Sequence, residues 1–153
     1  MPDTDTDTDT DTDTDTDLRA HHVGITVSDL EESLEFYRDV LGLSVLDRFT
    51  VSGDAFATGV GVDGATGTFA HLDADGARIE LIEYDPDGPS CTAESVNQTG
   101  AKHVGFAVAD LEAFHDDLPE AVETLSEPQT TASDTSILFL RDPEGNLIEV
   151  IEG

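Results

Sequence analysis

Four side chains stand out by type and spacing: His22, Glu80, His103 and Glu149. Each glutamate sits inside an aliphatic run, Ile79-Glu80-Leu81-Ile82 and Ile148-Glu149-Val150-Ile151. A carboxylate in such a run is costly to bury unless it is paired or bound to a metal. Each histidine opens a short apolar-alternating segment of its own. Two imidazoles and two carboxylates suit a divalent ion such as Ni, Co, Zn, Fe or Mn, with open positions for water or substrate. Taken singly, a strand histidine is usually structural, and a glutamate on a one-sided sheet usually points to water. The case rests on the pattern occurring twice.

The pattern is an internal repeat. His22-Val-Gly-Ile-Thr-Val-Ser-Asp-Leu-Glu31 recurs as His103-Val-Gly-Phe-Ala-Val-Ala-Asp-Leu-Glu112, 81 residues later. The two Ile-Glu runs are 69 residues apart, so the second copy is shorter by 12. Self-similarity of this kind marks duplicated units that complete one core together.

Each copy starts with a strand. Val23, Ile25 and Val27 fall on one face, with His22, Gly24 and Thr26 on the other; Val104, Phe106 and Val108 oppose His103, Gly105 and Ala107 in the same way. The histidine face is lined by small residues. A helix comes after each strand. Ser28 and Glu31 read as a capping box, with Leu30, Leu34, Tyr37 and Leu41 as the apolar stripe and Gly42 as the stop. The second helix starts at Asp110, with Leu111, Phe114 and Leu118 on one side. Gly53, Gly59, Gly61, Gly64 and Gly67 divide the stretch after the first helix into short β pieces. A turn at Asp142-Pro143-Glu144-Gly145 leads into the last strand. The expected fold is α+β: two βαβββ modules forming a half-barrel-like mixed sheet around a metal site. Module one covers about 18–86 and module two about 100–153, joined by a loop at 86–100.

Other histidines carry weaker signals. His21 lies on the wrong face beside His22. His71, in a β segment, could line the cavity but has no repeat partner. His115 is expected to be exposed.

Composition bounds the rest. Acids outnumber bases 35 to 6, for a formal charge of −29. Residues 3–16 are seven Asp-Thr pairs, closed by Asp17, and 1–17 read as a disordered acidic tail. The single domain at 18–153 keeps 27 acids against the same 6 bases. The acids are spread along the chain, which fits a solvated surface adapted to high salt. Such a charge disfavours nucleic acid and anionic membranes as partners. Cys91 is the single cysteine and has no partner for a disulfide. No apolar run approaches a membrane span, and the first residues lack a signal-peptide pattern, so a cytoplasmic location is expected.

His22–Leu30, Phe36-Tyr-Arg-Asp-Val-Leu-Gly-Leu43 and Asp142-Pro-Glu-Gly-Asn-Leu-Ile-Glu149 together resemble the vicinal oxygen chelate superfamily. That superfamily includes glyoxalase I, methylmalonyl-CoA epimerase, extradiol dioxygenases, and the fosfomycin and bleomycin resistance proteins. The resemblance spans about residues 19–152. It implies that His22, Glu80, His103 and Glu149 are metal ligands, and the His-Glu-His-Glu set is most similar to short bacterial glyoxalase I. The epimerase carries Gln or Glu at the position of Glu80; dioxygenases and fosfomycin enzymes use two histidines and one glutamate. The implied reaction is proton transfer next to a carbonyl, with a metal-stabilised enediolate and Glu149, or second Glu80, as the base. The implied substrate is a small carbonyl compound or thiol adduct, and the implied assembly is a homodimer. An epimerase, an extradiol-type dioxygenase or a ligand-sequestering resistance protein are the alternatives. Cations for a thiol's carboxylates are few: Arg19, Arg38, Arg48, Arg78, Lys102 and Arg141. Of these, Arg38 and Arg141 are expected on the surface.

Overall fold

A computed structural model describes residues 17–153. The expected acidic tail therefore lies outside the described residues, apart from Asp17. The chain forms two modules of the same plan. Module one contains β1 (Val23–Thr26), α1 (Leu30–Glu35), β2 (Ser44–Val51), α2 (Asp54–Val60), β3 (Thr66–Asp73) and β4 (Arg78–Asp85). Module two contains β5 (His103–Val108), α3 (Leu111–Asp116), β6 (Gln129–Thr130), β7 (Ser136–Arg141) and β8 (Leu147–Glu152). The strands build two open four-stranded sheets, ordered β1-β4-β3-β2 and β5-β8-β7-β6. In each sheet the first and last strands of the module pair in parallel, and the remaining pairs are antiparallel. This is the expected α+β arrangement, with each first strand at a sheet edge.

Four local readings need correction. The first helix is capped by Asp29, whose side chain accepts from the Glu32 N–H, and not by Ser28. Asp110 caps α3 in the same way, with matching backbone angles. The apolar stripe continues past α1 into a π-helical turn, Phe36–Val40, before Gly42 ends it at φ +79°. The glycine-broken stretch is not all β: Asp54–Val60 is helical and closes on the left-handed Gly61. Finally, Val23 of the aliphatic row is left 49% exposed, while Val27 is buried.

The modules share one core. Leu30, Leu34, Tyr37, Leu72, Ile79 and Leu81 of module one cluster with Leu111, Leu138, Leu140, Ile148 and Val150 of module two. Burial of these side chains supplies the main driving force, at about 1.5–3 kcal/mol each for the large aliphatics. Polar links orient the halves. Buried Tyr37 donates from its hydroxyl to Asp142 Oδ2 at 2.7 Å. Glu144 accepts from the backbone N–H groups of Ser28 and Asp29 and from the Ser28 hydroxyl. Burial and the Asp142 carboxylate both push the Tyr37 phenol well above its ordinary value. The Asp-Pro-Glu-Gly turn forms as read, with Gly145 N donating to Asp142 O and Gly145 at φ +88°. Among the described residues no helix is long and apolar enough to cross a membrane.

Candidate metal centre

The parallel pairing of first and last strands places each His beside its Glu. In module one Gly24 pairs with Glu80, and in module two Gly105 pairs with Glu149. The histidine lies two residues before that glycine in both. Side chains two apart share a face, so imidazole and carboxylate converge over a residue that has no side chain. His22 Nε2 stands 3.4 Å from Glu80 Oε1, and His103 Nε2 stands 3.3 Å from Glu149 Oε1.

These separations are informative. They exceed the 2.7–2.9 Å or so of a charge-assisted hydrogen bond. Two donors on one ion with bonds near 2.1 Å lie about 3.0 Å apart in octahedral and about 3.4 Å apart in tetrahedral coordination. Each module thus presents an imidazole–carboxylate pair spaced as neighbouring ligands, and the donor set fits a divalent ion.

No hydrogen bond or ion pair joins one His–Glu pair to the other among the described residues, and no cluster of three or more His, Cys, Asp or Glu there is disposed to hold a metal. Within one chain the two His–Glu pairs stand as separate clusters among the described residues. The first-strand faces that carry them, His22-Gly24-Thr26 and His103-Gly105-Ala107, are exposed to solvent.

The two His–Glu pairs differ in what faces the glutamate across the sheet. His71 on β3 pairs across the sheet with Glu80, and its Nε2 lies 2.6 Å from Glu80 Oε2. Its ring is stacked at 6.0 Å on His22. In module two the residue in that register is Phe139, which meets the His103 ring edge-on at 5.1 Å. The side chain of Glu80 is 11% exposed and that of Glu149 is 25% exposed. A wall of aromatic rings continues from His71 across module one. Phe49 meets His71 edge-on and stacks on Phe69 at 4.9 Å, while Phe56 of α2 stacks on Tyr84.

The remaining histidines and the cations occupy varied settings. His21 Nδ1 approaches His22 Nδ1 at 2.8 Å. His115 is half-buried beside Asp116, not exposed. Arg141 is half-buried and not a free surface charge. Its guanidinium holds the inter-module linker, donating to the carbonyls of Ala93, Glu94 and Gly145. Arg38 is paired with Asp39, and Arg48 with Glu31. Lys102 donates to Gly100 O. Arg78 shares the Glu80 face of β4 and forms no ion pair among the described residues; it lines a recess with His21, His22 and Asp73.

Residues 19–150 match the family described as the Glyoxalase/Bleomycin resistance protein/Dioxygenase superfamily. The chain belongs to this superfamily. It is 28% identical over 137 residues to a probable lactoylglutathione lyase of Vibrio cholerae, covering 88% of this chain and 90% of that protein. It is 30% identical over 136 residues to a catechol-2,3-dioxygenase of Bacillus subtilis, covering 84% of this chain but only 40% of the dioxygenase. Among solved structures it resembles a glyoxalase family protein of Bacillus cereus, with a TM-score of 0.81 at 24% identity, over 90% of this chain and 95% of that one. Members of this superfamily are mostly enzymes.

Proposed function

We propose that the protein is a metal-dependent lyase or isomerase of glyoxalase I type, acting on a small carbonyl compound or its thiol adduct. The observation that carries this reading is the duplicated His–Glu pair, at 3.4 Å in module one and 3.3 Å in module two. His22, Glu80, His103 and Glu149 would hold the ion. A bound divalent ion would polarise the substrate carbonyl and stabilise the enediolate as a Lewis acid. The near full-length match to the probable lactoylglutathione lyase supports this choice, as against 40% of the catechol-2,3-dioxygenase.

Within that reading Glu149 takes and returns the proton. It is more exposed than Glu80 and has His103 as its near neighbour, so its carboxylate can turn toward a carbon beside the ligated carbonyl. Glu80 is buried and hydrogen-bonded, which suits a ligand that stays in place. The aromatic wall of Phe49, Phe69, Phe56 and Tyr84 offers an apolar surface to the substrate's side group and helps exclude water.

The working form is proposed to be a homodimer. The half-sites of one chain are separate and their faces are exposed, so a second copy would bring module one of one protomer against module two of the other. The spread of acids supports a salt-adapted surface. Arg78, which lines the recess beside His22, is the cation proposed to meet a substrate carboxylate. The test is direct. Metal analysis of protein purified at high salt should find a stoichiometric divalent ion, and the metal-loaded protein should turn over methylglyoxal with one of a panel of thiols. Absence of metal would overturn the reading. Metal without turnover of any such adduct would move the assignment to an epimerase, a dioxygenase or a sequestering protein.

A further inference from the structure

The two modules repeat each other in strand order, register and His–Glu spacing, yet they differ in the residue that faces each glutamate across the sheet. Glu80 faces His71 across the β3–β4 pair, and Glu149 faces Phe139 across the β7–β8 pair. The His71 contact is short, at 2.6 Å to Glu80 Oε2, while Glu80 Oε1 remains turned toward His22 Nε2. One carboxylate oxygen is thus within hydrogen-bonding distance of the His71 ring nitrogen, and the other faces the His22 imidazole, its proposed partner in holding the ion. Phe139 can donate no such bond. It leaves Glu149 with one neighbouring polar side chain instead of two.

We infer that His71 is a positioning residue that fixes Glu80 as the permanent carboxylate ligand, and that its replacement by Phe139 in module two frees Glu149 to move as the base. The inference rests on the proposed metal site and adds a division of labour to it. Partners behind a ligating group orient it and typically matter by 10–100-fold or so in metal affinity. His71 is itself buried and braced by the Phe49 ring at 5.2 Å, so it is held where it can do this. The bond also satisfies the second oxygen of a carboxylate that the sheet would otherwise bury unpaired.

The experiment is a titration of metal-free protein with Co²⁺, monitored by visible absorption of the bound ion, on the wild type and on H71F, H71Q and F139H. H71F copies the arrangement of module two. It should weaken Co²⁺ binding by about 10–100-fold. H71Q, which can still offer an N–H to Glu80, should bind within a few-fold of the wild type. F139H should tether Glu149 and lower the proton-exchange rate on a carbonyl substrate more than it changes Co²⁺ affinity. Unchanged Co²⁺ affinity in a folded H71F would overturn the inference while leaving the metal site standing. A loss that H71Q fails to restore would also overturn it, since shape and not the hydrogen bond would then matter. If the wild type itself binds no Co²⁺, the underlying metal reading fails and this inference with it. Should H71F not fold, the H71Q affinity and the F139H rate decide the question.

Discussion

His71 reaches Glu80 at 2.6 Å, and the side chain in the same register behind Glu149 is Phe139. Two glutamates that look equivalent in sequence are therefore unequal in structure. One is buried and held; the other is a quarter exposed and lies across the sheet from a phenylalanine.

That inequality separates the two Glu→Gln variants. Glu149→Gln is expected to lower kcat by about 10²–10⁴-fold, the usual worth of a positioned base, while keeping a bound ion. Glu80→Gln is expected to act mainly on metal content. Metal analysis beside steady-state kinetics checks both, and retained turnover in Glu149→Gln would remove it as the base.

Shared sites make a mixing prediction. His22→Ala damages module one and His103→Ala damages module two, so each variant alone should be inactive. If each site joins module one of one protomer to module two of its partner, a mixed dimer contains one intact site. Random exchange of the two variants should then restore roughly a quarter of wild-type activity. Sites built inside one chain would give no recovery.

The Tyr37–Asp142 bond sets an alkaline limit. Burial and the neighbouring carboxylate raise the folded phenol above the unfolded value of about 10. The unfolded chain therefore loses this proton first. The stabilisation is complete below about pH 10 and falls as pH rises beyond it. Tyr37→Phe should cost roughly 1.5–3 kcal/mol at neutral pH, as for a hydrogen bond to a charged acceptor, and should flatten the alkaline fall. Denaturant unfolding from pH 7 to 11 would show both effects.

Salt should stabilise the fold. A formal charge of −29 with six bases leaves repulsion that counterions screen. Tm is expected to rise steadily between low salt and molar KCl. A flat or falling Tm would argue that the acids serve a basic partner instead.

Much of this architecture is legible in the residues. The period-two alternation around His22 and His103, with the two Ile-Glu runs, marks first and last strands, and parallel pairing then has to bring His to Glu. Features decided by tertiary contacts escape such a reading. Ser28 has the look of a helix cap, but Asp29 takes that position and the Ser28 hydroxyl binds Glu144, 116 residues away. The glycines at 53–67 suggest broken strands, while Asp54–Val60 winds into a helix that places Phe56 against Phe69 and Tyr84. His71 has no repeat partner, and that absence is itself the signal, visible only once the register sets Phe139 in the matching place. Arg141 has the look of a surface charge because its acceptors are backbone carbonyls, which no side-chain pattern announces.

The links made by the Asp142–Gly145 turn run in one direction only. Ser28 and Tyr37, whose hydroxyls donate to it, correspond through the repeat to Ala109 and Leu118, neither of which has a hydroxyl. The turn's own counterpart, Asp73–Gly76, keeps its internal bond from Asp75 N to Asp73 but has no such residues to reach in module two. The halves have thus become lock and key. Two copies of either half could not reproduce the joint, so the differences between the halves, and not mere duplication, dictate how the pair assembles.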